Sequence, residues 1–161
     1  MNEQPPAFPS ADRISLPLLT ITGRVSAPIT FSLADLQSMP QTDLDDQALV
    51  CGSGDPLGRT GRLRGVPLAD IVNLAPVIIS EHNDTKKMYL VAQAADGYKT
   101  VFSWQELFNS DNGPGVLVLL QRDGAPLGEG EARIDLISSR DHLSGPRYVK
   151  RLSRVDILMV V

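Results

Sequence analysis

The order of apolar and polar residues along the chain predicts an α+β domain with at least five β-strands and three short helices. Runs rich in β-branched and other apolar residues are typical of strands, and the continuous apolar run 116–120 is typical of a fully buried strand. The dipeptide Asp96-Gly97 favours a tight hairpin turn between two of these runs. The predicted strands cover residues 16–23, 48–50, 88–94, 99–103, 116–120, 132–137 and 155–161.

Two serines mark the starts of predicted helices. Ser32 and Ser103 are each followed three residues later by an acid, Asp35 and Glu106, which is the spacing of a capping box. Another helix is expected to begin near Pro67, because Pro fits a first helical turn and apolar residues follow it with helical spacing. Residues 51–61 contain four glycines and are therefore expected to form an irregular loop before that helix.

The chain has 161 residues, a length that can bury one hydrophobic core. Residues 1–13 are rich in Pro, Ala and polar residues and are expected to form a loose N-terminal arm, whereas residues 14–161 form the domain. No stretch approaches the roughly 18 apolar residues that span a bilayer. Residues 1–6 lack the features of an export signal, so we expect a cytoplasmic protein, or a bacterial periplasmic one if such a signal has been removed.

The charge distribution favours a small anion over a nucleic acid as a partner. The net charge is -4 and the isoelectric point is about 5.1, which argues against nucleic acid or an anionic membrane as the main partner. Residues 133–154 nevertheless contain six basic residues and only two acids. A local basic stripe on an acidic protein suits a small anion, although these side chains can equally be the solvated sides of strands.

The single cysteine, Cys51, lies where an apolar run breaks into the glycine-rich loop. A thiol in such a loop can bind a metal or act as a nucleophile, but a lone cysteine can also be a small buried hydrophobic residue. The two histidines, His82 and His142, lie in polar contexts without metal-binding spacing, so we expect solvated side chains, with a Cys-His nucleophile pair as an alternative. The loop lacks a phosphate-loop sequence, which disfavours nucleotide binding.

Six segments in order resemble the molybdopterin-binding domain of the sulfite oxidase family. The resemblance extends over about residues 18–158 and depends on the order and spacing of the segments rather than on any one of them. It implies an α+β fold with layered β-sheets and a β-grasp-like element. The matching segments are Cys51 with its loop, 63–71, 95–98, 122–127, 132–137 and 145–155.

The resemblance implies a molybdenum cofactor in which a pterin dithiolene and one protein cysteine hold the metal. By position, Cys51 matches the metal-ligating, catalytic cysteine, and a thiolate suits such a soft centre. The positions that match cofactor-binding residues, which would contact the pterin and its phosphate, are Arg133, Arg147, Tyr148 and Lys150.

The activity implied by the resemblance is a two-electron oxygen-atom transfer, with electrons passed to a redox partner protein. Arg59, Arg62 or Arg64 would attract a small oxyanion substrate. The chain departs from catalytic relatives in two places: Gly-Ser-Gly-Asp follows the cysteine instead of a Gly-Asn-Arg-Arg type of sequence, and Leu63 replaces an aromatic residue. The alternatives are a non-catalytic relative that acts as an anion-binding or protein-interaction module, and thiol chemistry at Cys51.

Overall fold

The computed structural model describes residues 11–161 and arranges them in two five-stranded β-sheets, a two-stranded hairpin and four short α-helices. The strands are β1 (Pro17–Gly23), β2 (Ile29–Ser32), β3 (Thr42–Leu44), β4 (Ala48–Val50), β5 (Pro56–Arg59), β6 (Leu63–Pro67), β7 (Met88–Ala94), β8 (Lys99–Ser103), β9 (Val116–Arg122), β10 (Ala125–Pro126), β11 (Asp135–Ser138) and β12 (Leu152–Met159). The helices are α1 (Ala11–Ile14), α2 (Leu33–Gln37), α3 (Leu68–Asn73) and α4 (Trp104–Phe108), with 3-10 turns at Asp84–Lys86 and Gly113–Gly115.

The first sheet has the strand order β2-β1-β12-β7-β8. Strands β1 and β12 pair in parallel, and the other neighbours pair antiparallel. The β7–β8 hairpin turns at Asp96-Gly97, as the sequence predicts, with Gly97 at a φ of 94° and the Tyr98 amide donating to the Asp96 carboxylate. This hairpin extends Tyr98 toward the basic segment 133–154, where it forms part of the candidate site described below.

The second sheet is built around β9, which pairs with β6 on one side and with β10 and β11 on the other. Strand β3 pairs with β6 and forms the far edge. The first five residues of β9 are buried because neighbouring elements cover both faces of the sheet, which explains the continuous apolar run in the sequence. The turn from β9 to β10 uses positive φ angles at Asp123 and Gly124.

The main hydrophobic core joins one face of each five-stranded sheet. Leu19 and Ile157 come from the first sheet, Val66 and Val118 from the second, and helices α2 and α3 add buried leucine and isoleucine side chains. A smaller cluster on the second sheet contains Leu63, Leu117, Leu119, Ile137 and Tyr148. Tyr148 therefore belongs both to a core cluster and to the basic segment.

The predicted α+β class and the layered β-sheets are confirmed, and several boundaries differ. The loop predicted over 51–61 contains β5 at Pro56–Arg59, which pairs with β4. Pro67 is the N-cap of α3 rather than a residue of its first turn. Strands predicted at 132–137 and 155–161 lie at Asp135–Ser138 and Leu152–Met159.

The N-terminal prediction extends beyond the described part of the chain. Residues 1–10 of the predicted arm lie outside the described residues, and Ala11–Ile14 form the short helix α1. Within residues 11–161, no helix is long and apolar enough to cross a lipid bilayer.

Candidate functional site

Cys51 follows β4 directly and begins the tight loop that joins β4 to β5. The Cys51 amide donates to the Asp55 carbonyl at 2.9 Å, and the Gly54 amide donates to the Cys51 carbonyl at 2.9 Å. Gly54 has a φ of 87°, a left-handed conformation that glycine adopts without steric cost. These contacts fix the backbone around the thiol.

The Cys51 thiol is half-buried and lies in a chain of hydrogen bonds within its own loop. Its Sγ is 2.7 Å from the Ser53 Oγ, which lies 2.9 Å from the Asp55 carboxylate, so the one hydroxyl proton of Ser53 can be donated to the carboxylate or to the thiolate. Hydrogen bonds from the Ser53 side chain and backbone lower the pKa of the Cys51 thiol below its ordinary value, against the opposing effect of burial. A larger thiolate fraction makes the sulfur a better metal ligand and nucleophile.

The segment 144–146 packs directly against this loop. The Val50 amide donates to the Ser144 hydroxyl at 3.3 Å, and the Gly145 amide donates to the Val50 carbonyl at 2.7 Å. A Cβ on Gly145 would lie 2.6 Å from the Val50 oxygen and 3.1 Å from the Cys51 Cα, so no larger residue fits without a backbone shift. The structure thus brings Cys51 against the basic segment 133–154.

A cleft of about 290 Å³ opens beside this contact and is lined by Asp96, Tyr98, Gly145, Tyr148 and Lys150. The Tyr98 hydroxyl closes one side by donating to the Pro146 carbonyl. Lys150 is exposed, and no side chain within residues 13–161 forms a hydrogen bond or ion pair with its ammonium group. Lys150 is therefore available to an anion in this cleft.

Arg147, by contrast, uses all of its N–H donors within the protein. Its Nε and one Nη donate to Asp141 at 2.8 and 2.7 Å, and its two Nη atoms donate to Glu106 at 2.7 and 2.8 Å. One Nη also donates to the Val101 carbonyl at 3.2 Å, and the guanidinium carbon lies 4.4 Å from the centre of the Phe102 ring. The prediction that Glu106 completes a capping box is wrong, since its carboxylate binds Arg147 and only the Ser103 hydroxyl caps α4.

Arg133 and Tyr148 meet at the buried carboxylate of Asp135. Arg133 donates two hydrogen bonds to Asp135 at 3.0 and 3.1 Å, and the Tyr148 hydroxyl donates at 2.7 Å. The Arg151 amide adds a fourth bond at 3.0 Å, which satisfies a carboxylate with no exposed surface. Burial, together with the neighbouring Asp135 charge, raises the pKa of Tyr148, so its hydroxyl stays protonated.

The arginines predicted to bind substrate lie in exposed ion pairs. Arg59 on β5 contacts Asp46 at 2.6 Å, and Arg64 on β6 contacts Asp43 at 2.8 Å. Their side chains are 62% and 49% exposed, so solvent or an anion can compete with the carboxylates. Arg59 belongs to the Cys51 hairpin, whereas Arg64 lines a separate groove of about 550 Å³ with Asp43 and Asp123.

The two histidines are exposed, and neither has a hydrogen bond to the Cys51 loop among the described contacts. Within residues 11–161, no group of three His, Cys, Asp or Glu side chains could hold a metal ion. A metal at Cys51 would therefore take its remaining ligands from a cofactor or from water.

The residues around Cys51 fit a molybdopterin cofactor at two points. The thiol, with its lowered pKa, is a soft ligand for the metal, and Lys150 in the adjacent cleft can bind a phosphate. Arg133 and Arg147 lie within ion pairs, so in this arrangement they do not offer free donors to a ligand. The cofactor-binding roles of Arg133, Arg147, Tyr148 and Lys150 remain predictions.

Sequence reasoning missed the residues that hold the loop. Ser53 and Asp55 belong to the stretch that departs from the sequence of catalytic relatives. In the structure, Ser53 is hydrogen-bonded to the Cys51 thiol, and Asp55 is hydrogen-bonded to Ser53. Gly145 lies in a matching segment, yet its contact with Val50 spans 95 positions of the chain. Tyr98 follows the hairpin turn, and the sequence alone carries no signal for its bond to Pro146.

Comparisons with known proteins agree with this fold. The family model described as oxidoreductase molybdopterin binding domain matches residues 14–131, which include Cys51 but end before Arg133. The crystal structure of the sulfane dehydrogenase SoxCD from Paracoccus pantotrophus superposes with a TM-score of 0.65 at 19% identity, covering 87% of this chain and 37% of that chain. This chain thus spans just over one third of that structure's chain, and the likeness shows a shared fold. No curated protein sequence matches the chain.

Proposed function

Because the chain belongs to the oxidoreductase molybdopterin binding domain family, we propose that it binds a molybdopterin cofactor with Cys51 as the protein ligand of the molybdenum. The observation that carries this proposal is the position of the half-buried Cys51, whose backbone packs against Gly145 in the lining of a cleft. That cleft also contains Lys150, whose ammonium group has no partner among the described side chains. The thiol and the lysine match the two ends that such a cofactor presents, a soft metal and a phosphate.

The bound molybdenum centre would supply two-electron oxygen-atom transfer, with the electrons passed to a redox partner protein. Ser53 would orient the Cys51 sulfur by its hydrogen bond, and Lys150 would neutralise part of the phosphate charge. Gly145 would keep the loop close to the cleft, because its missing Cβ allows the contact with Val50. Arg59, on the same hairpin, would attract a small oxyanion substrate, and Arg64 is a second candidate for that role.

The experiment that tests this proposal measures metal and pterin in protein from a host that makes the cofactor. We expect stoichiometric molybdenum by elemental analysis and pterin fluorescence after oxidation. Cys51→Ser should abolish molybdenum binding because serine is a poor soft ligand, and Lys150→Ala should weaken pterin retention. Lys86→Ala, which removes an exposed lysine from a 3-10 turn outside the cleft, is the matched control and should behave as wild type.

A second candidate function is a non-catalytic relative that binds an anion or another protein. The internal ion pairs of Arg133 and Arg147 favour it, because they leave fewer cations for a cofactor phosphate. Wild-type protein from the same host that contains neither molybdenum nor pterin would contradict the cofactor proposal and support this one.

A further inference from the structure

We infer that Arg147 is a positioning residue that holds the Cys51 loop in place, rather than a ligand of the cofactor phosphate. Its consequence for cofactor retention rests on the function proposed above. Its consequence for the geometry of the loop does not, because that geometry is set by contacts within the chain.

Arg147 uses every one of its hydrogen-bond donors within the protein. Its five N–H groups donate to Glu106, Asp141 and the Val101 carbonyl. The face of its guanidinium packs on the Phe102 ring. The side chains of Arg147, Glu106 and Asp141 are 21%, 23% and 13% exposed. A phosphate that bound this guanidinium would leave the partly buried carboxylates of Glu106 and Asp141 unpaired. The cost of leaving these charges unpaired disfavours phosphate binding by Arg147.

Glu106 binds Arg147 instead of completing the capping box of α4. Glu106 is three residues after the N-cap Ser103, where its carboxylate could accept from the cap backbone. Instead it forms a two-pronged pair with Arg147, 41 positions away. This pair fixes the start of α4 to the segment that precedes Tyr148.

The path along the chain from Arg147 to the contact with the Cys51 loop is short. Arg147 directly follows Gly145 and Pro146, the residues that contact the Cys51 hairpin and Tyr98. One end of this segment is fixed to α4 and β8 through the guanidinium, and the other is fixed to Val50 through the Gly145 amide. Loosening the guanidinium should therefore loosen the support of the loop.

The test compares Arg147→Ala and Glu106→Gln, with Arg154→Ala as control. Arg154 also forms an arginine-aspartate ion pair, but its pair lies on β12 with Asp156. Amide hydrogen exchange is followed in the cofactor-free protein for a peptide covering residues 49–55 and for β9. Because charge-assisted bonds are lost, we expect exchange in 49–55 to become about tenfold faster in Arg147→Ala and Glu106→Gln, with β9 unchanged. Arg154→Ala should leave both regions as in wild type.

Cofactor retention separates the two roles of Arg147. If Arg147 positions the loop, Glu106→Gln lowers retention as Arg147→Ala does. If Arg147 binds the phosphate, Glu106→Gln frees the guanidinium and keeps or raises retention, and this result would overturn the inference. Arg147→Lys keeps the charge but loses the fork of donors, so it should fail to restore slow exchange in 49–55, and full restoration would also overturn the inference.

The exchange measurement decides the inference even where the proposed function fails. A wild-type protein without molybdenum or pterin would end the cofactor proposal, while the loop would still respond to Arg147→Ala and Glu106→Gln. Unchanged exchange in 49–55 for both variants would end the positioning role, whatever the metal content.

Discussion

Gly145→Ala is the substitution that most directly tests the contact between the basic segment and Cys51. The new Cβ would lie 2.6 Å from the Val50 oxygen, where ordinary contact begins at 3.4 Å. The backbones must therefore separate by about 0.8 Å at this point. The Val50 oxygen belongs to the backbone and cannot rotate away, and the Cys51 Cα lies 3.1 Å from the same Cβ.

The cost of this separation has two parts. Crowding in a packed region costs about 1–3 kcal/mol. The same shift would stretch the 2.7 Å bond from the Gly145 amide to the Val50 carbonyl to about 3.5 Å, longer than a normal hydrogen bond. Its loss adds about 0.5–1.5 kcal/mol. We therefore expect the free energy of unfolding to fall by about 1.5–4.5 kcal/mol.

Urea unfolding monitored by circular dichroism measures this loss, and Gly52→Ala provides the matched control. A Cβ on Gly52 would meet only the Pro146 side chain, at 3.5 Å, and its φ is not in the left-handed region. That variant should stay within about 1 kcal/mol of wild type. If the protein binds the cofactor proposed above, Gly145→Ala should also lose molybdenum more readily. Equal stabilities for the two variants would refute the reasoning that the segment supports the loop.

Two further predictions concern the buried ion pairs. Asp135→Asn should lower the free energy of unfolding by about 3 kcal/mol because it breaks a buried charged pair. Tyr148→Phe removes one hydrogen bond and should lower it by only about 1–2 kcal/mol. Urea unfolding compares the two variants, and equal losses would contradict the prediction. Hydrogen bonds from Arg147 lower the pKa of Glu106. Burial alone would raise the pKa of Asp141, but hydrogen bonds, including those from Arg147, lower it overall. The stabilisation that these two carboxylates give the folded state should be complete above about pH 5 and be lost as the pH falls through their lowered folded-state pKa values. The urea midpoint of wild type should therefore fall more steeply below pH 5 than that of Arg147→Met.

Elements with strong local signals could be predicted from the sequence. The capping box of α2 forms as expected, with the Ser32 hydroxyl accepting from the Asp35 amide and the Asp35 carboxylate accepting from the Ser32 amide. The Asp96-Gly97 turn also forms, since its conformation depends on the two residues themselves. In both places, the contacts that stabilise the element lie within four positions of the chain.

Elements that depend on distant partners could not be predicted in the same way. Strand β5 contains a proline and a glycine and is exposed along its length, so its sequence resembles a loop. It becomes a strand because β4 lies beside it. The same holds for β3, a three-residue edge strand whose partner β6 follows about 20 positions later.

The candidate site shows the same division between local and distant information. The sequence locates Cys51 at a strand end and shows an excess of basic residues over 133–154, but it does not show which cations remain unpaired. In the structure, four of these basic residues form ion pairs. Arg133 pairs with Asp135, and Arg147 pairs with Glu106 and Asp141. Arg151 pairs with Glu131, and Arg154 pairs with Asp156. Glu106, Glu131 and Asp156 lie outside the basic segment, so a charge count within that segment overstates the charge available to a ligand.

Anion binding in the cleft should consequently depend most on one basic side chain, that of Lys150. An ammonium group acts as a point charge and lacks the two-pronged geometry of arginine, so it attracts a phosphate without fixing its orientation. In the function proposed above, the orientation of the cofactor would then come from its other end, through a bond between Cys51 and the metal. Without the thiol, Lys150 alone should bind phosphate weakly and with strong dependence on salt.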